Sequence, residues 1–450
     1  MKKTLILTFI LIVSHNTHAQ ESISLSLNQA IDYALLNNYS AINANRDVDI
    51  AKKKKWETTT TGLPKISADI NYQNWIKQQV SLIPAEFFGG VKGEFAEVAF
   101  GTKHNMSATA RLEQLIFDGS YLVGLQSSKT YLKISEQSKE KTELGVREAI
   151  INAYGNVLLS EKSIEILKTN LVSLQKTLDE TIEIHKNGLT EEENVEQLKI
   201  TLASIKSQLS KTAKLKDIAY KMLNITLGIN FKTKVYLTDS LNSLAENSSN
   251  YDFLSSRFNI KNHIDYKIAK NSEKSNELLV KLAQSDALPT LKSFINFGYT
   301  GFGQEFEFFK KEQQWFDSSL LGISLNIPVF SSLERSSRTQ QAKIELDKSR
   351  TNLSQIEQNL LLSLETAKTN YEYNIEEFET SKQNLALAQR IEKKQQIKFF
   401  EGLSSSFELA EAQRQLYSMQ QNYLQTMFNV IASKATLDTT LNTPIKTKNQ

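Results

Sequence analysis

Few side chains in this sequence have the types and spacings that chemistry requires. Outside its first nineteen residues the chain has three histidines, His104, His185 and His263, and they stand in three different contexts. No short spacing of carboxylates with histidine suggests a metal site, and neither a nucleotide-binding loop nor a nucleophile motif is present. The five methionines are scattered, which gives no support for a copper site. The sequence therefore predicts a protein that is not an enzyme and needs no cofactor.

One pair of carboxylates remains of interest. Glu408 and Glu411 are three residues apart, and residues at that spacing share one face of a helix. The same spacing is also typical of an ordinary solvated helix face. The role of these carboxylates therefore depends on the elements that carry them and on the neighbours that those elements bring.

The N-terminus has the pattern of a secretory signal. Lys2 and Lys3 precede an apolar run, Leu5–Val13, and Thr17-His18-Ala19 resembles a cleavage site, so we expect a signal peptide over residues 1–19 and a mature chain from Gln20. Because the sequence contains no cysteine, we expect neither disulfides nor a lipid anchor. Without the two lysines the net charge falls from +3 to +1, which gives no support for nucleic-acid binding.

The rest of the chain carries the same order of landmarks twice. A Leu-Pro pair opens an alternating segment, a second alternating segment ends in a short turn, and a Gly-Leu turn follows a long helical stretch. The paired segments are Leu63–Ile66 with Leu288–Leu291, Leu115–Gly119 with Pro328–Ser332, and Asn187–Thr190 with Glu401–Ser404. The offset falls from 225 to 213 between the first two pairs, so the first copy has a longer loop, which we place at Pro84–Asn105 and expect to be exposed.

Four segments alternate between apolar and polar residues: Ile66–Tyr72, Met106–Phe117, Leu291–Phe302 and Leu321–Val329. Their length suits transmembrane strands, which need roughly 9 to 11 residues. Aromatic residues near the ends of these segments are candidates for the girdles at a membrane surface: Trp75, Phe117, Tyr299, Phe302 and Phe330. A soluble sandwich is the alternative. Since four strands cannot close a barrel, several chains must contribute strands.

The helical segments are unusually long. No proline interrupts Ser120–Lys186 or Leu333–Phe400, and apolar residues recur in both at spacings of three and four. Each would reach on the order of 100 Å, which suits a rod or tube rather than a globule. A further helix of about 35 to 40 residues follows each Gly-Leu turn, and shorter helices are predicted at Leu27–Thr60 and Tyr251–Ser285. A periplasmic coiled coil is the alternative reading of the helices alone.

Over nearly the whole mature chain this pattern resembles the TolC-like outer-membrane efflux protein family. The resemblance is carried by Leu27–Leu35 with Asn37-Asn38, by the two Leu-Pro strand openings and by the two Gly-Leu turns. It implies a mainly α homotrimer in which each protomer gives four strands to a twelve-stranded outer-membrane β-barrel, continued by a twelve-helix periplasmic α-barrel. The implied division is a first repeat over 20–229, an equatorial linker over 230–250, a second repeat over 251–442 and a tail over 443–450.

The resemblance also implies a function. Family members lie in outer-membrane lipid of Gram-negative bacteria and form the passive exit duct of a tripartite efflux or type I secretion system. Their partners are a periplasmic adaptor and an inner-membrane pump of the RND, ABC or MFS class. The alternative is that the chain is itself a periplasmic coiled-coil adaptor or scaffold, although adaptors usually carry one helical hairpin and more strands.

Two candidate sites follow from the resemblance. The adaptor-facing tips of the family fall on the two Gly-Leu turns, and we expect Thr190 or Ser404 to cap the following helix. The tip residues are Gly188, Leu189, Thr190, Gly402, Leu403 and Ser404. The family's acidic gate, a cation-binding ring at the tunnel entrance, falls on Glu408 and Glu411, whereas the first repeat has Asn194 and Gln197 at those places.

Overall fold

The fold is mainly helical. The computed structural model describes residues 23–251 and 258–442, so the predicted signal peptide and the tail over 443–450 lie outside the described residues. The helices are α1 (Leu27–Asn37), α2 (Tyr39–Thr60), α3 (Gly119–Lys186), α4 (Glu192–Leu227), α5 (Leu241–Ser248), α6 (Ile264–Ser285), α7 (Glu334–Phe400) and α8 (Ser406–Thr440). The strands are β1 (Ile23–Leu25), β2 (Lys65–Asn74), β3 (Val80–Pro84), β4 (Phe95–Ala99), β5 (His104–Phe117), β6 (Val235–Leu237), β7 (Thr290–Gly303) and β8 (Trp315–Asn326).

The two long helices agree closely with the sequence. Helix α3 has 68 residues and α7 has 67, and each begins within one residue of its predicted start. The helices that follow the Gly-Leu turns, α4 and α8, have 36 and 35 residues. Narrow apolar stripes join α3 to α4. Leu174 of α3 and Leu198 of α4 are fully buried in one hydrophobic cluster, while most of the remaining helix surface is polar.

The predicted helix Leu27–Thr60 is two helices. Asn38 separates them: its backbone is extended, and its side-chain Oδ1 accepts hydrogen bonds from the backbone N–H groups of Ser40 at 2.8 Å and Ala41 at 3.3 Å. An asparagine that caps a new helix in this way competes with continuation of the old one. The Asn38 amide also donates to the Thr226 carbonyl at 2.7 Å, which fixes the break against α4.

The predicted helix from Tyr251 begins thirteen residues later, at Ile264. His263 has an extended backbone, and its Nδ1 accepts a hydrogen bond from the Asp265 backbone N–H at 3.1 Å. The His263 side chain thus accepts from one of the first backbone N–H groups of α6, which have no partner within the helix. Residues 252–257 lie outside the described residues.

The described residues form two compact units that cut across the two sequence repeats. The first unit draws on Met1–Asp47, Gln137–Ile268 and Ser354–Gln450, as far as these are described, and the second on Val48–Glu136 and Ala269–Leu353. Each unit therefore contains parts of both repeats. Among the described residues, no helix carries an apolar stretch long enough to cross a membrane.

The core of the first unit is built around two buried tyrosines. Tyr154 on α3 and Tyr371 on α7 are both fully buried. The Tyr154 hydroxyl donates to the Leu25 carbonyl at 3.0 Å, and the Tyr371 hydroxyl donates to the Ser248 carbonyl at 2.6 Å. These bonds hold β1 and the linker residues against the long helices. The linker is ordered into β6, which pairs in parallel with β1, and α5.

The second unit contains a four-stranded antiparallel sheet with the order β2-β5-β7-β8. All four predicted strands are present, and within the described part of the chain β2 and β8 form open edges. Strand β8 covers Trp315–Asn326 rather than Leu321–Val329. Its last residue, Asn326, pairs with Thr290, the first residue of β7, so the ladder between the two strands ends there.

The predicted loop Pro84–Asn105 is more ordered than expected. Strands β3 and β4 pair as an antiparallel hairpin within the connection between β2 and β5, and residue 84 opposes residue 95. A short 3₁₀ helix, Ala85–Phe88, lies between the two strands and ends at Gly89 in the left-handed conformation. The prediction of exposure holds, since most residues of the hairpin are exposed.

Candidate functional site

The two predicted tips are built alike. Gly188 and Gly402 have φ angles of 72° and 71°, a left-handed conformation that favours glycine. The next residue closes each turn: the Leu189 N–H donates to the Ile184 carbonyl at 3.2 Å, and the Leu403 N–H donates to the Lys398 carbonyl at 2.8 Å. This bond pattern ends many helices. It leaves the side chains of Leu189 and Leu403 78% and 72% exposed, so each tip presents an apolar side chain to its surroundings.

The expected caps lie one residue away from their predicted positions. The residue that caps α8 is Ser405, not Ser404, because the residue after Leu403 is still part of the turn. The Ser405 hydroxyl accepts from the Glu408 N–H at 3.2 Å, while the Ser404 hydroxyl is buried and has no hydrogen-bond partner among the described residues. The segment Ser405-Ser406-Phe407-Glu408 has the S-x-x-E pattern of a capping box, which was the signal that could have located the cap.

Thr190 does not cap α4 either. The residue at the capping position is Glu191, which makes no side-chain capping bond. The Thr190 hydroxyl instead accepts a hydrogen bond from the Asn194 amide at 2.6 Å, and the Thr190 carbonyl accepts one from His185 Nδ1 at 2.9 Å. His185 is thus a structural residue of the first tip.

Glu408 and Glu411 lie in the first turns of α8, and each has a local partner. Glu408 Oε2 accepts from the Ser405 N–H at 2.9 Å and completes the capping box. Glu411 forms an ion pair with Arg414 on the same helix, and both side chains are more than half exposed. Glu408 therefore stabilises the start of α8 whatever else it does, and the charge of Glu411 is partly balanced within the protomer.

The two tips are joined within one protomer. The Ser406 hydroxyl donates a hydrogen bond to Oδ1 of Asn194, the residue that corresponds to Glu408 in the first repeat. Gln197, which corresponds to Glu411, lines a groove of about 460 Å³ between α3, α4 and α8. Phe407 and Arg414 line the same groove. The first repeat thus places amides where the second places carboxylates.

A half-buried carboxyl lies between α7 and α8. Burial raises the pKa of Glu392, and a hydrogen bond from the buried Gln413 offsets part of that rise. Burial also raises the pKa of Tyr417 to about 12, with a further contribution from the Glu392 charge. Nothing in the sequence pattern singled out this polar cluster, because its members recur among many other polar helix residues.

One face of the β2-β5-β7-β8 sheet is apolar and uncovered. The cross-strand register places Ile66 and Ile70 of β2 on the same face as Leu321 and Ile323 of β8. These four side chains are 71% to 76% exposed. Water-soluble monomers rarely expose contiguous apolar surfaces of this kind, so the face requires an apolar environment.

The opposite face of the sheet is mostly polar, although Phe316 and Leu320 of β8 also lie on it and are about half exposed. It carries Ser67 and Asn71 of β2 and Thr109 of β5, together with a group of charged residues near the first residues of β2. Phe302 also belongs to this face, because its register partner is Asn105, and its ring packs 6.0 Å from that of Phe316. The expectation that Phe302 contributes to a lipid-facing girdle is therefore wrong, since its side chain points away from the apolar face.

The three histidines lie in separate places, as the sequence indicated. His104 Nδ1 is 2.8 Å from the Tyr72 hydroxyl, while His185 and His263 bond to backbone groups at a helix tip and a helix start. Burial lowers the pKa of His263, which keeps Nδ1 available as an acceptor. Within the described residues no group of three or more histidine or acidic side chains is placed to hold a metal ion.

Long helical hairpins and an open sheet with an exposed apolar face occur together in this chain. Residues 262–443 match the family model described as "Outer membrane efflux protein". No curated protein matches the chain. The resemblance to TolC-like outer-membrane efflux proteins is confirmed, by sequence in the second repeat and by fold in the rest.

Solved structures share the fold over almost the whole chain. CusC, described as forming a transmembrane channel, aligns with a TM-score of 0.73 at 16% identity over 92% of both chains. The outer membrane protein VceC of Vibrio cholerae aligns with a TM-score of 0.72 at 15% identity over 92% of this chain and 96% of its own. The CmeC outer membrane channel of Campylobacter jejuni aligns with a TM-score of 0.71 at 17% identity over 92% and 85%.

Proposed function

We propose that this chain is one protomer of an outer-membrane exit duct that conducts solutes passively out of a Gram-negative cell. The observation that carries the proposal is the exposed apolar face of the β2-β5-β7-β8 sheet together with its two unpaired edges. Lipid would cover the apolar face, and pairing of the edges with other copies would provide hydrogen-bond partners for the backbone N–H and C=O groups of β2 and β8. No catalytic group is needed for this role.

Closure of a barrel needs more than one chain, and the resemblance to TolC-like channels sets the proposed number at three. Four strands are too few for a barrel, since about eight is the smallest number in a membrane, and three copies would supply twelve. The same three copies would bring twelve helices from α3, α4, α7 and α8 to a periplasmic tunnel. A homotrimer is therefore the proposed assembly.

The tips are the proposed docking surface for a periplasmic adaptor. Leu189 and Leu403 are exposed apolar side chains on glycine turns, and such residues suit contacts with a partner helix. The adaptor would connect the duct to an inner-membrane pump of the RND, ABC or MFS class, which supplies the energy. The tip set comprises Gly188, Leu189, Thr190, Gly402, Leu403 and Ser404.

Glu408 and Glu411 are the proposed acidic gate. In a trimer six carboxylates would gather near the entrance, and crowding of like charges favours a bound cation. Since Glu408 accepts from its own cap and Glu411 is paired with Arg414, the cation must compete with partners inside each protomer.

The channel proposal is tested by extracting the outer-membrane fraction in detergent and examining the purified protein by electrophoresis with and without heating. We expect a heat-sensitive trimer that gives stepwise conductance in planar bilayers. A soluble monomer recovered from the periplasm would contradict the proposal.

The gate is tested in the same bilayers with the double variant Glu408→Gln/Glu411→Gln. Glutamine still accepts the capping hydrogen bond, so the variant removes charge without removing the cap. We expect divalent cations to block its current less than that of the wild type. Arg414→Gln is the matched control, because it frees the Glu411 carboxylate and should strengthen the block. Unchanged block in the double variant would refute the gate assignment.

A further inference from the structure

Three cations gather at one place on the polar face of the sheet. They are Lys65 at the start of β2, Arg111 on β5 and Lys292 on β7, and together with Glu113 they line a cleft of about 370 Å³. The register sets Lys65 directly opposite Glu113 and sets Glu113 opposite Phe294. The cluster therefore extends over three neighbouring strands.

One carboxylate serves two of the cations. Glu113 lies 3.2 Å from Lys292 Nζ and 3.5 Å from Arg111 Nε. The Arg111 guanidinium also lies 4.5 Å from the centre of the Phe294 ring, so a carboxylate and an aromatic face both restrain it. A restrained guanidinium loses less freedom when it forms further hydrogen bonds.

The remaining charges do not balance the cluster. Within the described residues no ion pair involves Lys65. The other acidic residue of the cleft is Asp118, whose carboxylate accepts hydrogen bonds from the backbone N–H groups of Ser120 at 2.7 Å and Tyr121 at 3.1 Å at the start of α3. Three cations thus share two carboxylates, one of which is engaged by a helix terminus.

The excess of positive charge is local. Further along the same face the register places Ser67, Asn71, Thr109 and Asn296, which are uncharged. Asp69 is also on this face, opposite Thr109, but it does not line the cleft. An even scatter of solvated charges would not concentrate three cations around one concave surface.

We propose that this cleft binds anionic groups with carboxylate, phosphate or sulfate oxygens, and that it shifts the selectivity of the duct toward anionic solutes. The inference rests on the proposed function, which makes the polar face of the sheet the wall of the lumen. Lys65 and the N–H groups of Arg111 supply the donors, and Lys292 adds to the attraction. In the trimer the three clefts form a ring, so a solute passing through meets them together.

The first test measures ion selectivity of the trimer in planar bilayers made only of zwitterionic lipid, under a KCl gradient. We expect Lys65→Gln/Lys292→Gln to lower the ratio of chloride to potassium permeability by at least about twofold. Glu113→Gln should raise the ratio, since it adds to the positive excess. Lys103 directly precedes β5 and does not line the cleft, so Lys103→Gln is the matched control and should leave the ratio unchanged.

The outcomes separate this inference from the function. If the variants conduct with the wild-type permeability ratio, the anion site is refuted and the duct remains. If the wild-type protein forms no channel, both fail. A difference between variant and wild type that arises only after anionic lipid is added would assign the cleft to lipid headgroups and refute the solute site.

A second measurement does not depend on current. The sequence has no cysteine, so Ser67→Cys in the cleft provides a single reactive thiol. We expect an anionic methanethiosulfonate reagent to modify it faster than a cationic one, and we expect Lys65→Gln/Lys292→Gln to remove that preference. The control thiol is Ser107→Cys, farther along the same polar face. Equal preferences at the two thiols in the heat-sensitive trimer would refute the inference.

Discussion

Two roles are assigned to the single carboxylate of Glu408. Its Oε2 accepts the backbone N–H of Ser405 at 2.9 Å, and the proposed gate asks the same group to bind a cation. These roles are compatible because an ionised carboxylate has about four acceptor positions and the capping box occupies few of them. The chain carries glutamate here, whose length lets the side chain reach back to the start of its own helix.

The cap gives the first prediction. Ser405→Ala removes the hydroxyl that accepts the Glu408 N–H, and we expect it to destabilise the start of α8 by roughly 0.5–2 kcal/mol. Hydrogen exchange of the amides that follow Ser405 measures the effect. Glu408→Gln is the comparison, because glutamine preserves the reciprocal bond and should cost much less. Equal losses of protection in the two variants would contradict this account of the cap.

Glu392 gives a prediction about pH. Burial raises the pKa of its folded-state carboxyl above the unfolded value, so the folded state keeps its proton at a pH where the unfolded state has released it. The resulting stabilisation is present below the unfolded pKa and is lost as the pH rises through the folded pKa. We therefore expect Glu392→Gln to raise the thermal midpoint near pH 7 and to change it little near pH 4.

A plot of thermal midpoint against pH for wild type and Glu392→Gln checks this prediction. Glu401→Gln, at an exposed position just after α7, is the matched control. The difference between its thermal midpoints near pH 7 and near pH 4 should equal that of the wild type. If Glu392→Gln lowers the midpoint near pH 7, the buried carboxylate is stabilised by interactions other than those described.

At the scale of whole elements, two glycines with similar backbone angles differ in their surroundings. Gly402 and Gly228 have φ angles of 71° and 79°. A Cβ atom at residue 402 would meet nothing within 4 Å, whereas one at residue 228 would overlap the backbone of Asn37. The first glycine is thus needed only for its conformation, and the second is also needed for the approach of α4 to the end of α1.

Alanine substitutions separate these two requirements. We expect Gly402→Ala to cost roughly 1–2 kcal/mol through backbone strain alone. Gly228→Ala should cost roughly 1–3 kcal/mol more, because the chain near Asn37 must also move. Chemical denaturation of the purified variants measures both. Equal destabilisation by the two variants would mean that the backbone near Asn37 moves without a free-energy cost.

The sequence predicted those elements whose signals are local and periodic. Proline-free stretches with apolar residues at helical spacing located α3 and α7, and alternation located the four strands of the sheet. The duplicated Gly-Leu pattern located both tips. Residue-level detail was less accessible, because Ser404 and Ser405 have the same side chain and only Glu408, three residues after Ser405, distinguishes the cap of α8 in the sequence.

Interactions between distant segments explain the remaining differences. The break at Asn38 is fixed by a bond to Thr226 across 188 positions, and the position of β1 depends on the Tyr154 hydroxyl, 129 positions from its acceptor Leu25. Phe302 is aromatic at a strand end, as a girdle residue would be, yet its face depends on the register with β5. A single sequence does not contain these pairings as a local pattern.

At the scale of the whole molecule, the open edges of the sheet make the assembly testable. Strands β2 and β8 are separated within one chain by β5 and β7, and the register aligns Ala68, Ala110, Phe297 and Ser319 in one row. Three strand spacings put the two edges about 14 Å apart across a flat sheet. A disulfide needs Cα atoms within about 7 Å, so cysteines on the two edges cannot bridge within a chain.

Edge cysteines therefore report pairing between copies. With no native cysteine to compete, we expect Ala68→Cys combined in turn with Ser319→Cys, Leu321→Cys or Ile323→Cys to give covalent dimers and trimers under oxidation in the outer membrane. At least one of the three combinations should react, because the stagger between copies sets which row of β8 meets Ala68. Each single cysteine is the control and should remain monomeric on denaturing gels. If all three combinations remain monomeric in a protein that still forms the heat-sensitive trimer, the copies do not meet through β2 and β8, and the sheet closes in some other way.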